Sequence, residues 1–276
     1  MTALAIGISP CPNDTFAFHA LLERRIEVAG LELEIVLDDV ESLNRRFETG
    51  ELDAAKCSFA AALGLADRAV ALASGSALGF GVGPLLLARD ATAELRPDAR
   101  VLCPGAGTTA SLLFRLFHPG IGRPEQVRFS EILPRLARGE ADFGVCIHEA
   151  RFTYPRFGLA LVEDLGTTWE RATGAPLPLG GILARKSLGE AVLRDLSRAV
   201  RASIEHALAH REETLPTMRR HAQELDDAVL WSHVDLYVNE RTLDLGPEGA
   251  RALAKLASIA VEAGALSPGS PVLEIV

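Results

Sequence analysis

At 276 residues the chain is long enough for one large or two ordinary domains, with roughly three quarters of its unfolded surface buried on folding. Its net charge of −9, with Lys and Arg scattered, repels phosphate backbones and argues against a nucleic-acid partner. No window approaches the ~18 uncharged apolar residues of a membrane span, so no membrane insertion is expected. Hydrophobic residues make up 48% and aromatics only 5%, so the core must be mostly Leu, Ala, Val and Ile, as in layered α/β folds. The four cysteines, Cys11, Cys57, Cys103 and Cys146, show no CxxC pair and no metal-like spacing with His. They read as small buried thiols, and no metal site is expected.

In chain order, ALAIGI (3–8) is an apolar run. The opening MTALAIGISP carries no basic segment and its run stops at Pro10, so it reads as a first strand rather than a secretion signal, and a cytoplasmic location is expected. SPCPNDTFAFHALL (9–22) follows: two prolines stiffen a turn and Asn13 or Asp14 is placed to cap a helix. LELEIVL (31–37) alternates apolar and acidic residues, the mark of a strand with one wet face. The resulting β-α-β unit favours a parallel sheet with helices outside it. Further strands are predicted at 70–73, 83–88, 101–103, 143–147, 159–162 and 181–184. From Gly189 the chain is helical, with Val192, Leu196, Val200, Ile204 and Leu208 in one stripe. A last helix runs from Pro247 to a stop at Gly264.

Two internal echoes suggest two similar lobes. ESLNRRFETGELDAAKCS resembles EILPRLARGEADFGVCIH: Gly50, Glu51, Asp53 and Cys57 match Gly139, Glu140, Asp142 and Cys146 at one constant offset. Each copy reads as a helix, a Gly stop and a buried strand. GPLLLARD (83–90) and PLGGILARK (178–186) bracket the second copy and read as crossings between lobes. The expected division is a larger lobe of residues 1–86 and 180–276, and a smaller α/β lobe of residues 87–179 inserted between the crossings. A ligand belongs in the cleft between them.

In a parallel sheet, functional side chains gather at strand C-termini and the helix starts that follow. Ser9–Thr15 is one such place, with Pro10, Asn13 and Asp14 as candidates for a cleft wall, although a capped helix alone explains the stretch. KCS, Lys56–Ser58, ends the strand of the first repeat; Lys56 and Ser58 share a face and Cys57 points away, while a solvated lysine is the plainer reading. In PGAGTTAS, Pro104–Ser111, two glycines let backbone approach a ligand and Thr108 or Thr109 caps a helix whose first N–H groups lack partners. The spacing fits neither a P-loop nor a full GxGxxG, so a small carboxylate suits it better than a nucleotide. In GVCIHEARFTY, His148 follows the strand of the second repeat, whereas the other six histidines, His233 among them, read as helical or helix-end residues. A neutral imidazole there can accept a proton; Arg151 either lines the cleft or anchors the hinge.

Taken together, SPCPNDTFAFHAL, KCS, TTAS and IHEARFTY resemble the 1,4-dihydroxy-6-naphthoate synthase family, in order from Ser9 to about Ser187. That resemblance implies a periplasmic-binding-protein type II fold, two α/β lobes around a central cleft. It implies a carbon–carbon lyase of the futalosine route to menaquinone that converts cyclic dehypoxanthinylfutalosine to 1,4-dihydroxy-6-naphthoate without metal or organic cofactor. His148 would be the proton acceptor, and Lys56, Cys57, Ser58, Thr109 and Ala110 the substrate contacts, the usual KVS reading KCS here. The C-terminal helices carry no motif of the family, and no feature of the sequence sets an oligomeric state. Two other readings share the fold: a non-catalytic cytosolic binder of a small carboxylate, and chorismate dehydratase, against which the SPCPNDTF opening speaks. The lyase reading expects the His148 imidazole to face the helix start near Thr109 across a gap between two halves of the molecule, and it falls if the ring packs inside one half with no cavity joining the two places.

Overall fold

The first apolar run forms β1 (Thr2–Ile8) and the amphipathic run β2 (Leu31–Leu37). The remaining strands of the computed structural model, which describes residues 2–28, 30–222 and 226–276, are β3 (Ala54–Ser58), β4 (Ala69–Ala71), β5 (Ala77–Gly79), β6 (Leu85–Ala88), β7 (Val101–Cys103), β8 (Glu125–Gln126), β9 (Phe143–Cys146), β10 (Ala160–Asp164), β11 (Leu177–Arg185) and β12 (Glu274–Ile275). They build two sheets. One runs β12-β4-β11-β3-β1-β2 with β5 added on β11; the other runs β10-β6-β9-β7-β8.

The sheets repeat one plan. β1 pairs parallel with β2 and β3, and β3 antiparallel with β11; likewise β7 pairs parallel with β8 and β9, and β9 antiparallel with β6. The duplicated sequence is the duplicated structure. Asp53 bonds back to β1, its N–H to the Ala5 carbonyl and its carboxylate to the Ala5 N–H, both at 2.9 Å. Asp142 does the same to Arg100, again at 2.9 Å for both bonds. Arg46 pairs with Glu51 and Arg135 with Glu140 at the equivalent places. Gly50 and Gly139 close the preceding helices, Val40–Thr49 and Phe129–Ala137, at φ of +92° and +77°, the left-handed region where glycine ends a helix without strain.

The second echo has a different meaning from the one expected. β6 lies wholly in one sheet and β11 wholly in the other, in equivalent positions, so neither strand crosses between lobes. Sheet membership changes instead between Gly79 and Leu85, and between Asp164 and Leu177. These two connections touch at Gly83 and Gly166, where a Cβ on Gly83 would stand 2.2 Å from the Gly166 Cα. Arg151 ties both together, donating to the Gly83 carbonyl at 2.6 Å and to Asp164 at 2.7 Å.

The core is aliphatic, as the composition requires. Helix Glu190–Ala209 lays Leu196, Val200 and Ile204 on one face of the larger sheet, against Ile6, Ile8 and Ile182. Leu208, expected in the same stripe, is 43% exposed; fully buried Ala207 faces inward at that turn instead. A second cluster, with fully buried Trp169, joins residues of both sheets. Among the described residues, no helix is long and apolar enough to cross a membrane.

Candidate active site

The opening turn places Cys11, not Asn13 or Asp14, at the helix N-cap, and no side chain caps Pro12–Ala17. Pro12 is the first helical residue and has no N–H to satisfy, while the Asp14 and Thr15 N–H groups bond to the Cys11 carbonyl at 3.0 Å. The Asp14 carboxylate is therefore released for other partners. It accepts from Ser9 Oγ at 2.6 Å, Asn13 Nδ2 at 2.9 Å and Lys56 Nζ at 2.6 Å. Lys56 also donates to the Gly75 carbonyl at 2.9 Å. Both charges are buried, a state tolerated only when each is paired and hydrogen-bonded. Lys56 is thus an internal cation rather than a solvated strand end.

Beside it, the Ser58 N–H donates to Asn44 Oδ1 at 2.9 Å, and Asn44 Nδ2 lies 3.4 Å from Ser58 Oγ. Cys57, on the opposite face, packs into the core, and burial raises its thiol pKa. Helix Thr109–Phe117 begins with Thr108 as its cap, its hydroxyl accepting from the Ser111 N–H. Thr109 Oγ1 donates to the Leu179 carbonyl at 2.7 Å and accepts the Ala60 N–H at 3.3 Å, tying this helix start to the other lobe. The glycine loop ahead of it meets a protein carboxylate: the Gly107 N–H donates to Glu41 at 3.1 Å. Glu41, on helix Val40–Thr49, carried no signal in the sequence.

His148 follows β9 with φ +58°, a left-handed conformation unusual for a side chain with a Cβ. The bend lifts its ring over the opening turn, and Nδ1 comes 3.3 Å from Cys11 Sγ. Phe129 packs edge-on at 5.0 Å between centroids. The other nitrogen, Nε2, has no hydrogen-bond partner among the described residues. Burial lowers the imidazole pKa to about 4, with the Lys56 charge acting the same way and Asp14 and Asp39 opposing, so the ring is neutral at pH 7.

One cavity of about 80 Å³ joins these groups, bordered by Asp14, Lys56, Ser58, Thr109 and His148 among others. Asn13, Cys57 and Ala110 also border it; Pro10 and Arg151 do not. Arg151 is the hinge tie described above, because its guanidinium is already held by Gly83 and Asp164. His148 and Thr109 belong to the same lobe, following the adjacent strands β9 and β7, so they flank the cavity rather than oppose each other across it. From the other lobe, Cys11 and His233 face His148. His233 and Tyr237, from helix Asp227–Tyr237, border the cavity too. The sequence reads His233 as a helical or helix-end residue and does not single out Tyr237. Among the described residues, no group of three or more His, Cys, Asp or Glu side chains could hold a metal ion.

Comparison with known proteins follows the same lines. The chain is 53% identical over 268 residues to a 1,4-dihydroxy-6-naphtoate synthase of Thermus thermophilus, covering 97% of each chain. It is 44% identical to a Streptomyces coelicolor protein of the same name, over 95% of this chain and 94% of that one. Protein AF1704 of Archaeoglobus fulgidus superposes with a TM-score of 0.90 at 30% identity, covering 96% and 98% of the two chains. The alkanesulfonate-binding protein of Xanthomonas axonopodis pv. citri superposes at 0.71 and 15% identity, over 99% and 96%, a likeness of fold that is of the periplasmic-binding-protein type. A family profile described as menaquinone biosynthesis matches residues 4–262, and the chain belongs to that family.

Proposed function

We propose that the chain is a cytoplasmic carbon–carbon lyase that converts cyclic dehypoxanthinylfutalosine to 1,4-dihydroxy-6-naphthoate, with His148 as proton acceptor. The observation that carries this reading is the neutral imidazole on the cavity wall, one nitrogen engaged by Cys11 and the other without a partner. With Nδ1–H donated to Cys11 Sγ, the lone pair lies on Nε2. That is the tautomer a general base needs.

His148 removes a proton from the bound spirocyclic substrate, the carbon skeleton breaks, the sugar-derived fragment departs, and formation of the aromatic dihydroxynaphthoate drives the step. General-base help contributes typically ~10²–10⁴-fold. The Asp14 and Asp39 charges, which oppose the lowered pKa, favour the imidazolium as it forms. The substrate carboxylate is placed at Ser58 Oγ and the Thr109 and Ala110 N–H groups, the first helical positions, which have no acceptor within their own helix. The fragmentation uses neither metal nor organic cofactor.

The cavity is small beside the ~300 Å³ at which ordinary ligand pockets begin. Substrate therefore enters as the two lobes, one built on each sheet, swing apart at the Gly83–Gly166 contact. Purified protein incubated with cyclic dehypoxanthinylfutalosine should release 1,4-dihydroxy-6-naphthoate, followed by mass and absorbance, and should leave chorismate unchanged. Binding without conversion would instead make the chain a carboxylate-binding protein.

A further inference from the structure

We infer that His233 is a substrate-contacting residue, its imidazole held on the cavity wall to exchange hydrogen bonds with an uncharged oxygen, a hydroxyl or carbonyl, of the sugar-derived part of the substrate. The inference rests on the lyase reading above and adds to it the C-terminal helices, which carried no motif.

His233 is 1% exposed and borders the cavity, yet among the described residues neither Nδ1 nor Nε2 has a hydrogen-bond partner. A neutral imidazole carries one donor and one acceptor, and sealing both from water without partners opposes folding. Aromatic neighbours surround the ring: Tyr237 at 4.6 Å, Phe152 at 6.2 Å and His148, stacked at 20°, at 6.4 Å. A phenylalanine would satisfy such a niche without the polar penalty. His19 differs in degree: it too is buried and its Nε2 is likewise unpartnered, but its Nδ1 is satisfied by Thr217 Oγ1 at 2.9 Å, whereas His233 lacks a partner at both nitrogens among the described residues.

The class of oxygen follows from charge. Burial, reinforced by His148 and Lys56, lowers the His233 pKa well below the usual 6.5. The ring is therefore neutral and offers no charge to a carboxylate, which is better met at Ser58 and the Thr109 helix start. Its parallel position beside His148 sets it next to the bond-breaking end of the substrate.

The test compares wild type with His233→Phe, which keeps shape and removes both polar atoms. We expect KM for cyclic dehypoxanthinylfutalosine to rise at least about tenfold, the scale of one lost hydrogen bond. The ligand-free Tm should stay equal or rise. An unchanged KM, or a KM increase matched by a fall in ligand-free Tm, overturns the inference by making His233 structural. Should His233→Phe not fold, nitrogen-15 spectra of His148→Asn protein decide: a shift of the His233 ring signals on adding substrate supports the contact, and unmoved signals overturn it. Loss confined to these readouts in an active wild type strikes only the His233 contact, whereas a wild type that does not convert the substrate removes the lyase reading and this inference with it.

Discussion

Cys11 Sγ and His148 Nδ1 lie 3.3 Å apart although their residues come from different lobes, one from the turn after β1 and the other from the end of β9. The contact fixes the imidazole where the lobes meet. Burial first, then the Glu149 charge, raises the Cys11 pKa well above its usual value. The sulfur therefore stays a thiol, which disfavours a nucleophilic role and leaves it to orient the histidine. Cys11→Ala should lower kcat by about 10- to 100-fold, less than the loss of a general base, with KM little changed. Cys11→Ser should retain more activity, since its hydroxyl can still accept from Nδ1–H. Steady-state kinetics on both variants check this.

The pH dependence has a definite sign. An ordinary histidine titrates near 6.5, whereas burial holds His148 at about 4, so the acid limb of kcat/KM should lie far below pH 6. At pH 5.5 the enzyme should keep most of its pH 7.5 value; a base of ordinary pKa would keep only about a tenth. Folding responds in the same window. Between about pH 6.5 and 4 the unfolded chain takes up a proton that the folded one refuses, so stability is complete at pH 7 and falls by up to roughly 3 kcal/mol as pH drops through that range. His233 acts in the same direction. The acid-unfolding midpoint of His148→Asn should shift to lower pH.

Asp14 and Lys56 form a buried pair whose members need each other. Asp14→Asn leaves a buried ammonium without a counter-charge, and Lys56→Met strands a carboxylate. Each single change should cost about 3–5 kcal/mol, and the double variant much less than the sum. Urea denaturation of the three proteins measures the coupling.

Glu41 holds the closed lobes together through the Gly107 N–H. A charge-assisted bond of this kind contributes about 1.5–3 kcal/mol. Glu41→Ala should populate a more open ligand-free form, seen as a larger radius of gyration by small-angle scattering, and should speed substrate association. An unchanged radius and association rate would remove Glu41 from that role.

Much of this arrangement was legible before any coordinates. The duplicated Gly-Glu-x-Asp-x-x-x-Cys pattern marks two strands in equivalent places because identical turns and identical Asp-to-backbone bonds were needed twice. His148 was readable for the same reason, as a polar residue just past a buried strand of known position. Glu41, Asn44, His233 and Tyr237 were not, because each sits on a helix whose period accounts for it as surface or core, and the partners that Glu41 and Asn44 meet and the cavity that His233 and Tyr237 border come from distant parts of the chain. The Cys11 cap escaped notice because Asn and Asp are the usual caps, whereas here a proline at the first helical position removes the need for one. The approach of Gly83 to Gly166 leaves no mark in the sequence, because it arises only through the pairing of two connections distant in the chain.

The most direct measurement is single-turnover conversion of cyclic dehypoxanthinylfutalosine by His148→Asn, since asparagine accepts the left-handed backbone that His148 adopts. Bond cleavage should slow by at least about 10²-fold, with substrate binding and ligand-free Tm at pH 7.5 close to wild type. Turnover within a few-fold of wild type in a folded, substrate-binding variant would contradict the assignment of His148 as the base.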